Sequence, residues 1–290
     1  RRMARGVNAS RLQSPAPTWD ALFEALEAAD PYARQTSIHN GPLLYNHSRP
    51  WVRHVSLQGL EARTPALRAR YRKPLIWDEV QYEGNITMAW GALSAAEMAD
   101  RFWAAGARGV YAGHSETLLR PDVRSDDAQP LWWAKGGVLV GGSPARIGWM
   151  RRVWTAMLGD TALGALRPTQ DALGSAAGPA ASILSDSPSN RTHDAASFLF
   201  VKIERPGSWT VPLRRAPRSH RWRQTAVDYW AMNLIYSSLP SDATGARLEC
   251  PALTELDLSS CLFLLNQAAS LSWARVRWSW ASSMSRPIPS

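Results

Sequence analysis

Lysine is nearly missing from this chain: of 33 basic residues only Lys73, Lys135 and Lys202 are lysines, and the rest are arginines. That bias fits GC-rich coding better than selection for phosphate binding, where lysine serves as well. Cysteine is also scarce. Cys250 and Cys261 exclude a disulfide-dense scaffold and a four-cysteine metal site, and they leave the redox compartment open. No apolar run approaches the roughly 18 residues of a membrane span. The best, Cys261-Leu-Phe-Leu-Leu265, stops at Asn266, so no integral membrane protein is expected. The chain opens on Arg-Arg-Met with no apolar signal core, so any export signal has been removed, lost or was never present. Localisation stays open between cytoplasmic and secreted. Acidic residues are absent from Arg1 to Trp19, and no internal repeat is found.

What is present is a chain of 290 residues, 45% apolar, enough for one large domain or one large and one small. The net charge of +9 is unevenly spread: residues 16–158 carry 16 basic against 14 acidic side chains, and the excess lies in the flanks. A polar lead, 1–17, precedes Trp19, Leu22, Phe23 and Leu26 at helical spacing, with Thr18 as the expected N-cap. Four short apolar segments follow, each ending in polar residues: Gln35–His39, Trp51–Gln58, Pro74–Glu79 and Gly109–Glu116. Helix-like stretches separate them, most clearly 94–106, where Ser94 and Glu97 form a capping box. Another helix is expected over 144–158, with Pro144 in its first turn. Alternating strand and helix is the signature of a parallel α/β fold, whose site forms at the carboxyl ends of the strands.

Beyond residue 160 the pattern weakens. The stretch 161–192 is rich in Ala, Gly, Ser and Pro and reads as a linker, and 193–290 as a degenerate β domain or disordered tail. Phe198–Ile203 and Trp209–Leu213, with Pro206-Gly207 between them, read as a hairpin.

The densest chemistry is Lys73-Pro-Leu-Ile-Trp-Asp-Glu-Val-Gln-Tyr-Glu-Gly-Asn85. A buried strand that delivers Asp78 and Glu79 at its exit, with Tyr82 and Glu83 just beyond, is costly unless those carboxylates have partners or a task. Glycoside hydrolysis needs such a pair. A purely structural role, with Asp78 capping a loop and Glu79 paired with an arginine, is the competing expectation.

Taken together, Asp30-Pro-Tyr with Ser37-Ile-His-Asn40, Trp51-Val-x-His-x-Ser-x-Gln58, the 73–85 motif, Gly-His-Ser-Glu at 113–116, Trp132-Trp-x-Lys-Gly-Gly137 and Ser143-Pro-Ala-Arg-Ile147 resemble the carboxyl-terminal half of an apiosidase-like glycoside hydrolase. The resemblance covers about half of the chain, from Trp19 to Leu158. It implies a partial (β/α)8 TIM barrel, strands five to eight, over 18–160, with a small, poorly defined β-rich region after it. It further implies a retaining mechanism with Glu79 as nucleophile and Glu83 as the fallback. Substrate contacts would come from His39, Asn40, Gln58, Tyr82, Glu83, His114, Glu116 and Trp132. No cofactor or metal is expected, and His39, His47, His54 and His114 show no metal-ligand spacing. The family's acid/base carboxylate should precede the helix at Trp19, where this sequence has none, so the chain reads as a fragment whose partner would be the missing half of the barrel.

Two rival functions remain: an inactive carbohydrate-binding remnant, and nucleic-acid binding by Arg205, Arg214, Arg215, Arg218, Arg221 and Arg223 interleaved with Trp209 and Trp222. No nucleic-acid motif frames the latter.

Overall fold

A computed structural model describes residues 16–39, 44–59, 61–118, 139–158, 166–169, 181–185, 198–204, 207–213, 216, 220–240, 242–243, 245–250 and 260–269. The first half alternates helix and strand: α1 (Ala16–Ala29), β1 (Val55–Gln58), α2 (Thr64–Tyr71), β2 (Leu75–Glu79), β3 (Glu83–Gly84), α3 (Ala95–Ala107), β4 (Tyr111–Ala112), β5 (Glu116–Thr117) and α4 (Ser143–Leu158). Helix α1 begins two residues before Thr18, which therefore lies in its first turn. The Ser94 capping box on α3 is complete: Ser94 Oγ accepts from the Glu97 N–H, and the Glu97 carboxylate accepts from the Ser94 N–H at 2.7 Å.

Strands β1, β2 and β4 pair in parallel in that order, and His39 forms a parallel bridge to Ser56 at the outer edge. The four apolar segments thus stand side by side in chain order, with α2 and α3 as the crossovers between the last three. Helices α2 and α3 cover this sheet, burying Val55, Leu57, Leu75, Trp77, Met98 and Val110. The buried Trp77 indole is paired: its N–H donates to Thr64 Oγ1 at 3.0 Å.

The second half is a β-sandwich. It comprises β6 (Arg167–Thr169), β7 (Ala181–Ser185), β8 (Phe198–Ile203), β9 (Gly207–Pro212), β10 (His220–Asp228), β11 (Asn233–Ser238), β12 (Gly245–Cys250) and β13 (Cys261–Ala269). Six strands form an antiparallel sheet in the order β11-β10-β13-β8-β7-β6, and β12 pairs with β9 in a second sheet. The stretch that composition reads as a linker contributes β6 and β7. The expected hairpin does not form: β8 pairs with β7 and β13, whereas β9 crosses to β12. The physical reason is the pattern of β8, whose six residues are all buried. Leu199, Val201 and Ile203 face the second sheet, and Phe198 and Phe200 face helices α3 and α4. A strand buried on both faces belongs at a sheet centre, flanked on both sides, here by β7 and β13.

The two halves are joined through that helix-facing side. Trp103 of α3 packs on Phe200 at 5.7 Å and Trp154 of α4 meets Phe200 edge-on at 4.7 Å. Asp100 on α3 receives hydrogen bonds from Tyr229 Oη (3.1 Å) and Ser260 Oγ (2.5 Å), and an ion pair from the buried Lys202 (3.2 Å). Arg108 reaches Glu204 at 2.7 Å. Cys250 and Cys261 form a disulfide that ties the end of β12 to the start of β13 and so links the two sheets. Among the described residues no helix is long and apolar enough to cross a membrane.

Candidate active site

The carboxyl ends of β1 and β2 carry a connected set of polar side chains. Between Leu57–Trp77 and Gln58–Glu79 the register shifts, leaving Asp78 as an extra residue on β2. Such a bulge re-aims side chains, and here it lets two successive carboxylates reach the same histidine. His39 Nδ1 lies 3.7 Å from Asp78 and Nε2 3.4 Å from Glu79. The same ring meets Ser56 Oγ at 2.9 Å and Gln58 Oε1 at 3.1 Å, and Ser56 Oγ donates to Asp78. Glu79 Oε1 accepts from Tyr82 Oη at 2.6 Å. Burial, then the hydrogen bond to Glu79 and that carboxylate's charge, hold the Tyr82 phenol well above its ordinary pKa, so it remains a donor. Tyr82 is braced by Trp90, whose ring stands edge-on at 5.4 Å, and its N–H donates to the Trp90 carbonyl.

Glu79 is partly exposed, with about 30% of its side chain open, and its described partners are a tyrosine and a histidine rather than the arginine of the structural alternative. An accessible carboxylate held by a phenol and an imidazole at strand ends is oriented for nucleophilic or electrostatic work. Gly113 makes this geometry fit: a Cβ there would lie 2.6 Å from the Asp78 carbonyl oxygen.

His114, Glu83 and Glu116 come together elsewhere, in a second cluster whose ligand-type atoms lie within 4.8 Å of one another. Both glutamates are only 4% exposed. Glu83 accepts from the N–H of Gly142 (2.7 Å) and of Ser143 (3.1 Å) and from Ser143 Oγ (2.5 Å). Glu116 accepts from the N–H of Val140 (2.9 Å) and Gly141 (3.0 Å). His114 Nε2 contacts Ser143 Oγ at 2.9 Å and lies 3.9 Å from Glu83. These groups anchor the chain as it enters α4, where a helix start offers unpaired amides and a positive dipole end. Burial pushes the Glu83 pKa up, but His114, Ser143 and the two amides outweigh it and hold it down at about 2. A histidine and two carboxylates are a donor set suited to a divalent cation; here amide and hydroxyl donors meet the charge of both carboxylates.

Of the residues the sequence singles out, His39, Gln58, Glu79 and Tyr82 form one cluster and Glu83, His114 and Glu116 the other. Asn40 and Trp132 lie outside the described residues. Sequence reasoning gave no role to Ser56 and Ser143, which connect the clusters' members; both were legible only as parts of motifs, and a serine at a helix start is an ordinary cap. The arginine-rich stretch is described only in part. Arg205, Arg214, Arg215 and Arg218 lie outside the described residues. Trp222 is buried in the sandwich core and Trp209 packs against that core, so these indoles serve packing.

Comparison with known proteins defines the class of fold. No family description and no curated protein matches the sequence. Among solved structures, a Bacteroides vulgatus protein assigned as a glycoside hydrolase superposes with a TM-score of 0.63 at 22% identity, over 88% of this chain and 49% of that one. A glycoside hydrolase family 5 protein from the same organism gives 0.61 at 13% identity, over 86% and 58%. A third glycoside hydrolase gives 0.60 at 11% identity, over 86% and 60%. The chain therefore shares the fold of the matched parts of these glycoside hydrolases. This chain spans half to three-fifths of the length of those structures.

Proposed function

We propose that the chain is part of a retaining glycoside hydrolase, carrying strands five to eight of a (β/α)8 barrel and a β domain packed on two of its helices. Glu79 is the nucleophile in this reading. The observation that carries it is the strand-end cluster in which Tyr82 and His39 hold an accessible Glu79. Glu83, the fallback, has both oxygens engaged by amides and a hydroxyl, which favours Glu79. Glu79 attacks the anomeric carbon, while a carboxylate from outside the described residues, about 5 to 5.5 Å away, protonates the leaving oxygen and then activates water. Tyr82 and His39 orient the nucleophile; His39 and Gln58 border the space where sugar hydroxyls would lie. The apiosidase-like resemblance supports a substrate among oligosaccharides or polysaccharides of plant or bacterial type.

A second reading, a sugar-binding remnant without turnover, is favoured by one observation. Among the described residues, the carboxylates joined to this cluster are Asp78 and Glu79, neighbours on a single strand. Steady-state hydrolysis of a panel of aryl glycosides separates the two readings. The enzyme reading expects turnover that falls by about three orders of magnitude in Glu79→Gln with the thermal midpoint unchanged. Binding of product sugars without turnover of any glycoside selects the remnant.

A further inference from the structure

A cavity of about 530 Å³ lies away from the Glu79 cluster, between α4 and the six-stranded sheet, within the size range of small-molecule sites. One face of α4 lines it through Trp149, Arg152, Val153 and Ala156, at the three- and four-residue spacing of a single helical face. The opposite wall comes from the sheet, and its residues are set by register. Arg223 is paired directly with Ser238 on β11 and with Asn266 on β13, so these three side chains form one cross-strand row on one face. The next rows on that face run Tyr236-Thr225-Leu264 and Leu234-Val227-Leu262. Leu264, Val227 and Leu262 belong to the apolar core against α3 and α4. The face is thus apolar where the helices touch it and turns polar where α4 leaves room.

Two atoms on this face are buried without a hydrogen-bond partner, Asn266 Oδ1 in the cavity wall and Thr225 Oγ1 in the row beneath. An acceptor buried without a partner is destabilising, and native structures keep few of them. Arg223 makes no ion pair among the described residues; its guanidinium stands 5.9 Å from the Tyr236 ring centre. No carboxylate is found among the described residues lining the cavity, whereas two guanidiniums are. The site therefore offers the Arg223 guanidinium, the side chain of Asn266, and the Trp149 and Tyr236 rings.

We propose that this crevice is a second ligand site that takes a sugar acid: a compound bearing a carboxylate for Arg223 and hydroxyl groups, one of which donates to Asn266. A guanidinium recognises a carboxylate through parallel N–H bonds, and aromatic rings accept the apolar face of a pyranose. The argument stands on the cavity alone and does not depend on Glu79.

Calorimetric titration of the full chain with galacturonate and glucuronate, against glucose and acetate, tests it. At least one uronate saturates the protein, and glucose, lacking the charge, and acetate, lacking the hydroxyls, bind at least about tenfold more weakly. Arg223→Gln and Asn266→Ala each weaken the uronate by about tenfold or more. Ala156→Trp, at an exposed helix position facing the crevice, fills it and abolishes binding while the thermal midpoint holds. Hydrolysis at the Glu79 site, where present, is unchanged in all three variants. Failure of both uronates to saturate, glucose or acetate binding as tightly, or uronate binding undiminished in Ala156→Trp overturns the proposal.

Discussion

Replacing Glu83 by glutamine isolates the anchor beneath α4. The carboxylate accepts three short hydrogen bonds, from the Gly142 and Ser143 amides and Ser143 Oγ. Glutamine keeps one acceptor oxygen and turns its NH2 toward donors that already need an acceptor. The pKa fixes the scale: it falls from 4.5 to about 2 on folding, which corresponds to about 3 kcal/mol of stability. Because the folded value is the lower one, that stability is fully present above pH 4.5 and is lost as the pH falls toward 2. Denaturant unfolding of wild type and Glu83→Gln at pH 7 and pH 3 reads this directly. The variant is expected to be less stable by about 3 kcal/mol at pH 7, and the gap should shrink by about 2 kcal/mol at pH 3. A gap that is the same at both pH values, or no gap at pH 7, refutes the anchor. A sugar-binding role for Glu83 would show instead as a raised KM with stability intact.

Three further outcomes follow from the same contacts. Asp100→Ala should cost about 3–5 kcal/mol in denaturant unfolding, because it strands the buried Lys202 and removes the acceptor of Tyr229 and Ser260. A loss below about 1 kcal/mol would mean that Glu204 suffices for Lys202. Cys250→Ser should lower stability by about 3 kcal/mol, the value for closing a short loop, and reductant should reproduce the loss in wild type. Gly113→Ala should push β4 off β2 at Asp78, costing about 1–3 kcal/mol and lowering turnover through Glu79; full activity would show that the strand end accommodates the methyl group.

What could be read from the sequence divides along a physical line. Local signals were legible: the Ser94 capping box, the helix that starts near Pro144, and four apolar segments that stand parallel in order. The pairing of Glu79 with Tyr82 three residues on is equally local. Long-range choices were not. A strand such as Phe198–Ile203 carries no mark of which neighbours it takes, and the Pro206-Gly207 turn signal was overridden because both faces of that strand are buried. Glu83 and Glu116 look like strand-end site residues in sequence. Their assignment as amide acceptors depends on where residues 140–143 return, some 24 to 60 positions away. Asp78 and Glu79 reach one histidine through a bulge, which alternation alone does not reveal.

Glu79 is tested most directly by a substrate that needs no acid catalyst. From a 2,4-dinitrophenyl glycoside the dinitrophenolate departs without protonation, so a chain with only the nucleophile can still form the glycosyl-enzyme. Rapid mixing with a panel of such furanosides and pyranosides, followed by peptide mass analysis, should give a dinitrophenolate burst stoichiometric with protein and a sugar attached to Glu79. The burst should be absent in Glu79→Gln. No burst with any sugar, or an equal burst in Glu79→Gln, would contradict the assignment of Glu79 as the nucleophile.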